Sequence, residues 1–172
     1  MLTTIEHHEN GQIKSIEIID ETGVPHNPNG PAYQRWYATG QEEYREYWLN
    51  GEHHNPKGPA YRRWYTNGQE EYRVYWVHGK LHNPNGPAVQ RWLENGQEEC
   101  QEYWLNGKCH NPNGPAIQTW YENGQEKCRE YWLNGVKITK EEFERYHNTV
   151  EVICNGKSVR ISKESAKALD LT

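Results

Sequence analysis

Apolar positions in this chain return neither every second residue for long nor every 3.6 residues; they return every 28. Self-similarity at a fixed period is the mark of a repeat array. Gly-Pro-Ala recurs at Gly30, Gly58, Gly86 and Gly114. The same period carries His26/His54/His82/His110, Trp36/Trp64/Trp92/Trp120 and Trp48/Trp76/Trp104/Trp132, so all eight tryptophans lie on two ladders. Gln41/Gln69/Gln97/Gln125 and Tyr47/Tyr75/Tyr103/Tyr131 follow it as well. A degenerate half-unit, Asn10-Gly11-Gln12 and then Gly23, precedes the array. Every unit carries Gly and Pro and none shows a helical apolar stripe, which argues against helices here.

Each unit therefore reads as two strands and two turns. Asn-Gly and its relatives mark the turns, from Thr39-Gly40 and Asn50-Gly51 through to Asn123-Gly124 and Asn134-Gly135. Such pairs suit type I′ hairpins, which need positive φ at both central residues. The segments between them, such as 33–37 and 42–49, are rich in aromatic strand formers. With Thr39-Gly40 as a two-residue loop, Trp36 falls opposite Glu43 and Ala32 opposite Tyr47. One face then carries Ala32, Gln34, Trp36, Glu43, Arg45 and Tyr47. The other carries Tyr33, Arg35, Tyr37, Glu42, Tyr44, Glu46 and Trp48. Two prolines in each His-Asn-Pro…Gly-Pro-Ala arm cannot donate to a central ladder, so a corner is expected in every unit. The expectation is eight or nine strands in sequential antiparallel order.

After Gly135 the pattern stops. Thr139-Lys140-Glu141-Glu142 is a capping box, with Ile138 and Phe143 placed as its hydrophobic staple, predicting a helix over 139–146. Two strand-like runs, 149–154 and 157–161, flank Asn155-Gly156, and a second short helix runs from Ser162 through Ala168. The fold class is mainly β: an antiparallel meander or solenoid of hairpin repeats with a small C-terminal α/β cap. Its divisions are a degenerate half-repeat over 1–23, four hairpin repeats over 24–135, and a helix-hairpin-helix cap over 136–172. Open ends of repeat arrays need covering, which makes capping the expected role of the last piece.

Composition sharpens this picture. In 172 residues, Leu, Ile, Val and Phe together number 26, too few for an ordinary aliphatic core. Eight tryptophans and twelve tyrosines nonetheless exclude a disordered chain, so ring stacks are expected to replace that core. The net charge of −5 gives no basic nucleic-acid footprint. No apolar run is long enough for a membrane helix, and Met1–Glu6 has no signal-peptide character. Cys100, Cys109, Cys128 and Cys154 lack zinc-type spacing, and reduced thiols in a cytosol are expected.

Recurrence also weighs on candidate chemistry. Equivalent histidines of neighbouring units lie two strands apart, roughly 10 Å, too far to share a metal ion. The expectation is a structural role, ordering the His-Asn-Pro corner, with His7-His8 a solvated tail. Cys100 and Cys128 are likewise too far apart for a disulfide, and Cys109-His110 point to opposite faces of a strand. Glu42-Glu43 and their repeats pair with arginines. No catalytic residue, metal or cofactor is therefore assigned, and the chain is not expected to be an enzyme. What remains is a surface of rings and guanidinium groups, the residue types that dominate interface hot spots. The first two units are the more aromatic, which selects Tyr33, Arg35, Tyr37, Tyr44, Arg45, Tyr61, Arg63, Tyr65 and Tyr72.

The Asn-Gly-Gln, Tyr-Trp-x-Asn-Gly and His-x-x-x-Gly-Pro-Ala units over 10–135 resemble the variant MORN repeats of bacterial, phage and giant-virus proteins. The 28-residue period and the missing closing Gly-x-Gly depart from the ordinary pattern, so the phospholipid binding attributed to MORN arrays is not carried over. The resemblance implies a phage or mobile-element protein. The expected function is binding to another protein, as an inhibitor of a bacterial defence complex such as a CRISPR effector or as an antitoxin-like blocker. The alternative is an aromatic cage for a small ligand: a glycan, a choline-like cation or a nucleotide messenger.

Overall fold

The computed structural model describes residues 1–154 and 156–169. Its contacts divide between Met1–Val136 and Lys137–Thr172. The first unit is built on a sheet whose strand order follows the chain, ten strands from Leu2–His7 to Glu126–Leu133. Neighbouring strands of this sheet from Leu2 to Glu130 pair antiparallel. Among the described residues helices occur only in the second unit, Lys140–His147 and Lys163–Ala168.

The first three repeats each supply four strands, not the two expected, whereas in the fourth Glu126–Leu133 is one continuous strand. Two belong to the large sheet, for example Tyr33–Trp36 and Glu42–Glu46, and two form a separate small hairpin, Trp48–Leu49 with Glu52–His53. The same excursion recurs at Trp76–Leu81 and Trp104–Cys109. The Asn50-Gly51 loop has φ of 52° and 76°, the two positive values of a type I′ turn. The small hairpins are tied to one another in series: the Gly79 amide donates to His53 O at 3.1 Å and that of Gly107 to Leu81 O at 2.8 Å.

The Thr39-Gly40 turn is different, and it corrects the facial assignment. Tyr37 N–H donates to Gln41 O and Gly40 N–H to Tyr37 O, both at 2.9 Å. Residues 38–40 thus form a three-residue loop with positive φ at glycine alone. Trp36 consequently faces Glu42, not Glu43, and a bulge between Arg35 and Trp36 restores the register of Arg35 with Tyr44. One extra residue in one strand exchanges the faces of its neighbours. Glu42 joins Gln34 and Arg45, while Glu43 joins Arg35.

The corner is ordered by asparagine more than by histidine. Asn27 Oδ1 accepts from Asn29 N–H at 3.1 Å while its Nδ2 donates to Pro31 O at 2.8 Å, and Asn55, Asn83 and Asn111 do the same. The histidines instead fasten each corner to the turn that closes the same repeat. Nδ1 of His26, His54, His82 and His110 accepts from the backbone N–H of Asn50, His78, Asn106 and Asn134 at 3.0–3.1 Å. Ala32, Ala60, Ala88 and Ala116 are completely buried, whereas among the described residues no large side chain is. The core of the large sheet is therefore a row of alanines with Val74, Val89, Cys100, Cys109, Trp64 and Tyr131 buried beside it, so rings supply part of it and the other tryptophans stay half-buried.

Nor are the first residues a separate tail. Leu2–His7 pairs with Ile13–Ile19 as part of the large sheet, and His8 Nε2 lies 2.8 Å from Trp36 O. That bond supplies to Trp36 what the Tyr37 hydroxyl supplies to Trp64 O at 2.9 Å one unit later.

In the second unit, Thr139 caps the helix Lys140–His147. Its side chain accepts from Glu142 N–H at 3.1 Å, Glu142 accepts from Thr139 N–H at 2.7 Å, and Phe143 is buried. Thr149–Cys154 pairs with Lys157–Ser162; Asn155, assigned to the intervening turn, lies outside the described residues. Ser162 caps Lys163–Ala168 by accepting from Ser165 N–H at 2.9 Å.

Candidate functional site

Register turns the repeats into continuous rows across the sheet. One row runs Ser15, Arg35, Tyr44, Arg63, Tyr72, Arg91, Cys100, Thr119, Cys128. Its neighbour on the same face runs Glu17, Tyr33, Glu46, Tyr61, Val74, Val89, Glu102, Ile117, Glu130. Residues two apart on a strand share a face, so six of the selected residues come together here: Tyr33, Arg35, Tyr44, Tyr61, Arg63 and Tyr72.

The other three are placed differently. Arg45 lies on the opposite face, in the row Gln34, Arg45, Arg62, Arg73, Gln90, Gln101, Gln118, Arg129. Its odd spacing from Tyr44 and Glu46 requires this. Tyr37 and Tyr65 sit at the loop end of the hairpins, with their hydroxyls donating to Trp64 O and Trp92 O at 2.9 and 3.0 Å. They join adjacent units and are poor anchors for a partner.

Sequence reasoning also passed over Arg91. It completes an alternation of arginine and tyrosine from Arg35 to Arg91, and its side chain is 51 % exposed, against 43 % and 44 % for Arg35 and Arg63. Carboxylates hold these guanidinium groups, Glu43 at 3.1 Å, Glu71 at 3.1 Å and Glu99 at 3.5 Å. The rings are packed against each other. Tyr44 and Tyr61 stack at 6.4 Å, and Tyr61 meets Tyr72 edge-on at 5.7 Å. Burial pushes the Tyr61 hydroxyl up to about 12, and burial with the Glu17 carboxylate does the same to Tyr33. Both are uncharged hydrogen-bonding groups at neutral pH.

Next to these rings the pattern breaks. The indoles of Trp48, Trp104 and Trp132 donate to Glu46, Glu102 and Glu130 at 2.8 Å, but Val74 stands where Trp76 would find its glutamate. The result is an apolar groove of about 340 Å³ lined by His53, Tyr61, Tyr72, Val74, Trp76 and Leu81 among others. His53 sits between Trp48 and Trp76, with ring centroids 3.7 and 5.7 Å away, and its Nε2 lies 3.1 Å from Glu46.

The opposite face carries ion pairs that a regular strand would forbid. Glu42 and Arg45, Glu70 and Arg73, and Glu126 and Arg129 are three residues apart yet paired. The bulge beside each glutamate brings them to one side. Burial acts to raise the Glu70 carboxyl, but Arg73 and Arg62 together hold it below its ordinary value. The Trp64 ring lies under two guanidinium groups, Arg45 at 5.2 Å and Arg62 at 4.7 Å.

Cys100, Cys109 and Cys128 carry free thiols. Burial pushes Cys100 and Cys109 up to about 12, which keeps them protonated and unreactive near neutrality. Among the described residues no group of three His, Cys, Asp or Glu is placed to hold a metal ion, and no helix is long and apolar enough to cross a membrane.

No protein-family model and no curated protein sequence matches the chain.

Proposed function

We propose that this chain is a non-catalytic repeat protein that binds another protein through the sheet face bearing Tyr33, Arg35, Tyr44, Tyr61, Arg63, Tyr72 and Arg91. The observation that carries the reading is the alternation of arginine and tyrosine across five consecutive strands, roughly 20 Å of surface at normal strand spacing. The groove beside Val74 and Trp76 offers a depression for one apolar side chain of the partner, surrounded by polar groups, the usual anatomy of an interface centre. Rings already packed on one another and arginines already held by glutamates lose little freedom on binding.

The finer reading rests on the resemblance of the units to variant MORN repeats. It makes the chain a phage or mobile-element product acting in a host cytosol, as an inhibitor of a defence complex such as a CRISPR effector or as an antitoxin-like blocker. The test uses the chain as bait in bacterial lysate, beside an Arg63→Glu, Tyr72→Ser variant and an Arg129→Glu variant of the opposite face. A specific partner is expected to be lost with the first variant and kept with the second. A partner kept by both, or an effect in which one molecule of the chain inactivates many of its target, would overturn the reading.

A further inference from the structure

The four units provide an internal reference against which a local departure stands out. Position 57 is lysine, where the other corners carry Asn29, Asn85 and Asn113. Position 62 is arginine, where the other units carry Gln34, Gln90 and Gln118. Both departures fall in one cleft of about 360 Å³ on the face opposite the arginine–tyrosine rows, beside Arg45, Tyr47 and Asn55. The equivalent positions in the later units are Arg73, Asn85 and Gln90, then Gln101, Asn113 and Gln118. Three cations converge only at the junction of the first and second units. We propose that this cleft binds the phosphate group of a soluble phosphate monoester, gripped by Arg45, Lys57 and Arg62.

The arrangement is prepared for an anion. Arg45 is committed to Glu42 through Nε and Nη2, and Arg62 to Glu70 through Nε alone at 2.6 Å. Both Nη groups of Arg62 and the Lys57 ammonium remain outside those pairs. Glu70 is already shared with Arg73, so it cannot neutralise Arg62 fully. Trp64, 9 % exposed, supports both guanidinium groups from below and fixes their planes. The Tyr47 phenol lies at the rim, hydrogen-bonded to Arg45. Guanidinium and ammonium donors around one hollow match a tetrahedral, doubly charged oxyanion better than a flat carboxylate. The chain's net charge of −5 and the glutamates beside its other arginines provide no basic surface for an anionic membrane, which favours a soluble ligand.

Inorganic phosphate and adenosine monophosphate, titrated into the full chain by calorimetry and by amide shifts around Lys57 and Arg62, test the site. Saturable binding is expected. Lys57→Asn with Arg62→Gln restores the residues of the other units and is expected to weaken binding by roughly tenfold or more in a chain that still unfolds cooperatively. The reciprocal change, Asn85→Lys with Gln90→Arg beside Arg73 and Tyr75, is expected to add a second equivalent of bound phosphate. No saturable response, equal binding by the restored variant, or retention solely on phosphatidic-acid vesicles would each overturn the assignment. Binding to the opposite face is untouched by these variants, so the outcome is independent of the protein-binding reading.

Discussion

The first two units and the last two share one backbone and differ in what they display. Arg35–Tyr44 and Arg91–Cys100 are the same register pair, as are Arg45–Arg62 and Gln101–Gln118. Buried alanine, Asn-ordered corner, His fastener and bulge recur in both halves. Those positions do the folding, and keeping them leaves the intervening ones free to change. Tyrosine gives way to cysteine, valine or isoleucine in the later units, and arginine to glutamine on the opposite face. Rings and cations thus concentrate in the earlier half on a scaffold that does not need them there.

The largest effect is expected where the halves agree. Ala60→Leu and Ala116→Leu each force extra methylenes into a fully buried site and should cost about 1–3 kcal/mol, with the two losses similar in urea unfolding. A marked inequality would break the claim of a shared core. Glu70→Gln comes next, because it leaves Arg62 and Arg73 without their common carboxylate: about 1–2 kcal/mol after discounting for partial solvent access. Glu126→Gln, the exposed equivalent with one arginine partner, should cost less than about 1 kcal/mol.

Acid titration sharpens the same contrast. The Glu70 carboxyl lies below its unfolded value, so its contribution is complete above the ordinary carboxylate range and disappears as pH falls through the lowered value. The wild type should therefore converge on Glu70→Gln in acid. His54 behaves in the same sense at higher pH. Burial, with His78 nearby, lowers it, and its Nδ1 must be unprotonated to accept from His78 N–H. That fastening is complete above the unfolded value near 6.5 and lost as pH drops through the folded one. His54→Ala should cost about 1 kcal/mol at neutral pH, measured by thermal melts across pH. The smallest effect concerns rates. At mildly alkaline pH, Cys128, half-buried, should react with a thiol reagent before Cys100 and Cys109, whose burial holds them protonated; the reverse order would refute that placement.

Much of the site was legible because strand periodicity is strict. Once Arg35 and Tyr44 were set opposite each other, Tyr33, Tyr61, Arg63 and Tyr72 followed onto the same face. Arg45 was misplaced by grouping residues on type alone, although its position in the strand already assigned it to the other side. Arg91 escaped notice because Val89 and Cys100 dilute the aromatic signal around it. Lys57 and Arg62 were visible as departures from the repeat, but fourteen sequence positions separate Arg62 from Trp76 and seventeen separate it from Arg45. Nothing in the linear pattern says which of those neighbours shares a cleft with it.

The sequence by itself determined the period, the turns and the alternation, since these depend on local physics: positive φ at Asn-Gly, the missing amide of proline, the two-residue repeat of a strand. It also specified the C-terminal helix start, because the Thr139–Glu142 capping box is closed within four residues. Only the tertiary structure decided the three-residue loop and its compensating bulge, which exchanged Glu42 and Glu43 between faces. It alone gave the histidines partners 24 residues away and set Val74 beside Trp76 as a groove. Those outcomes turn on hydrogen bonds and packing between strands, which the linear pattern permits but does not select.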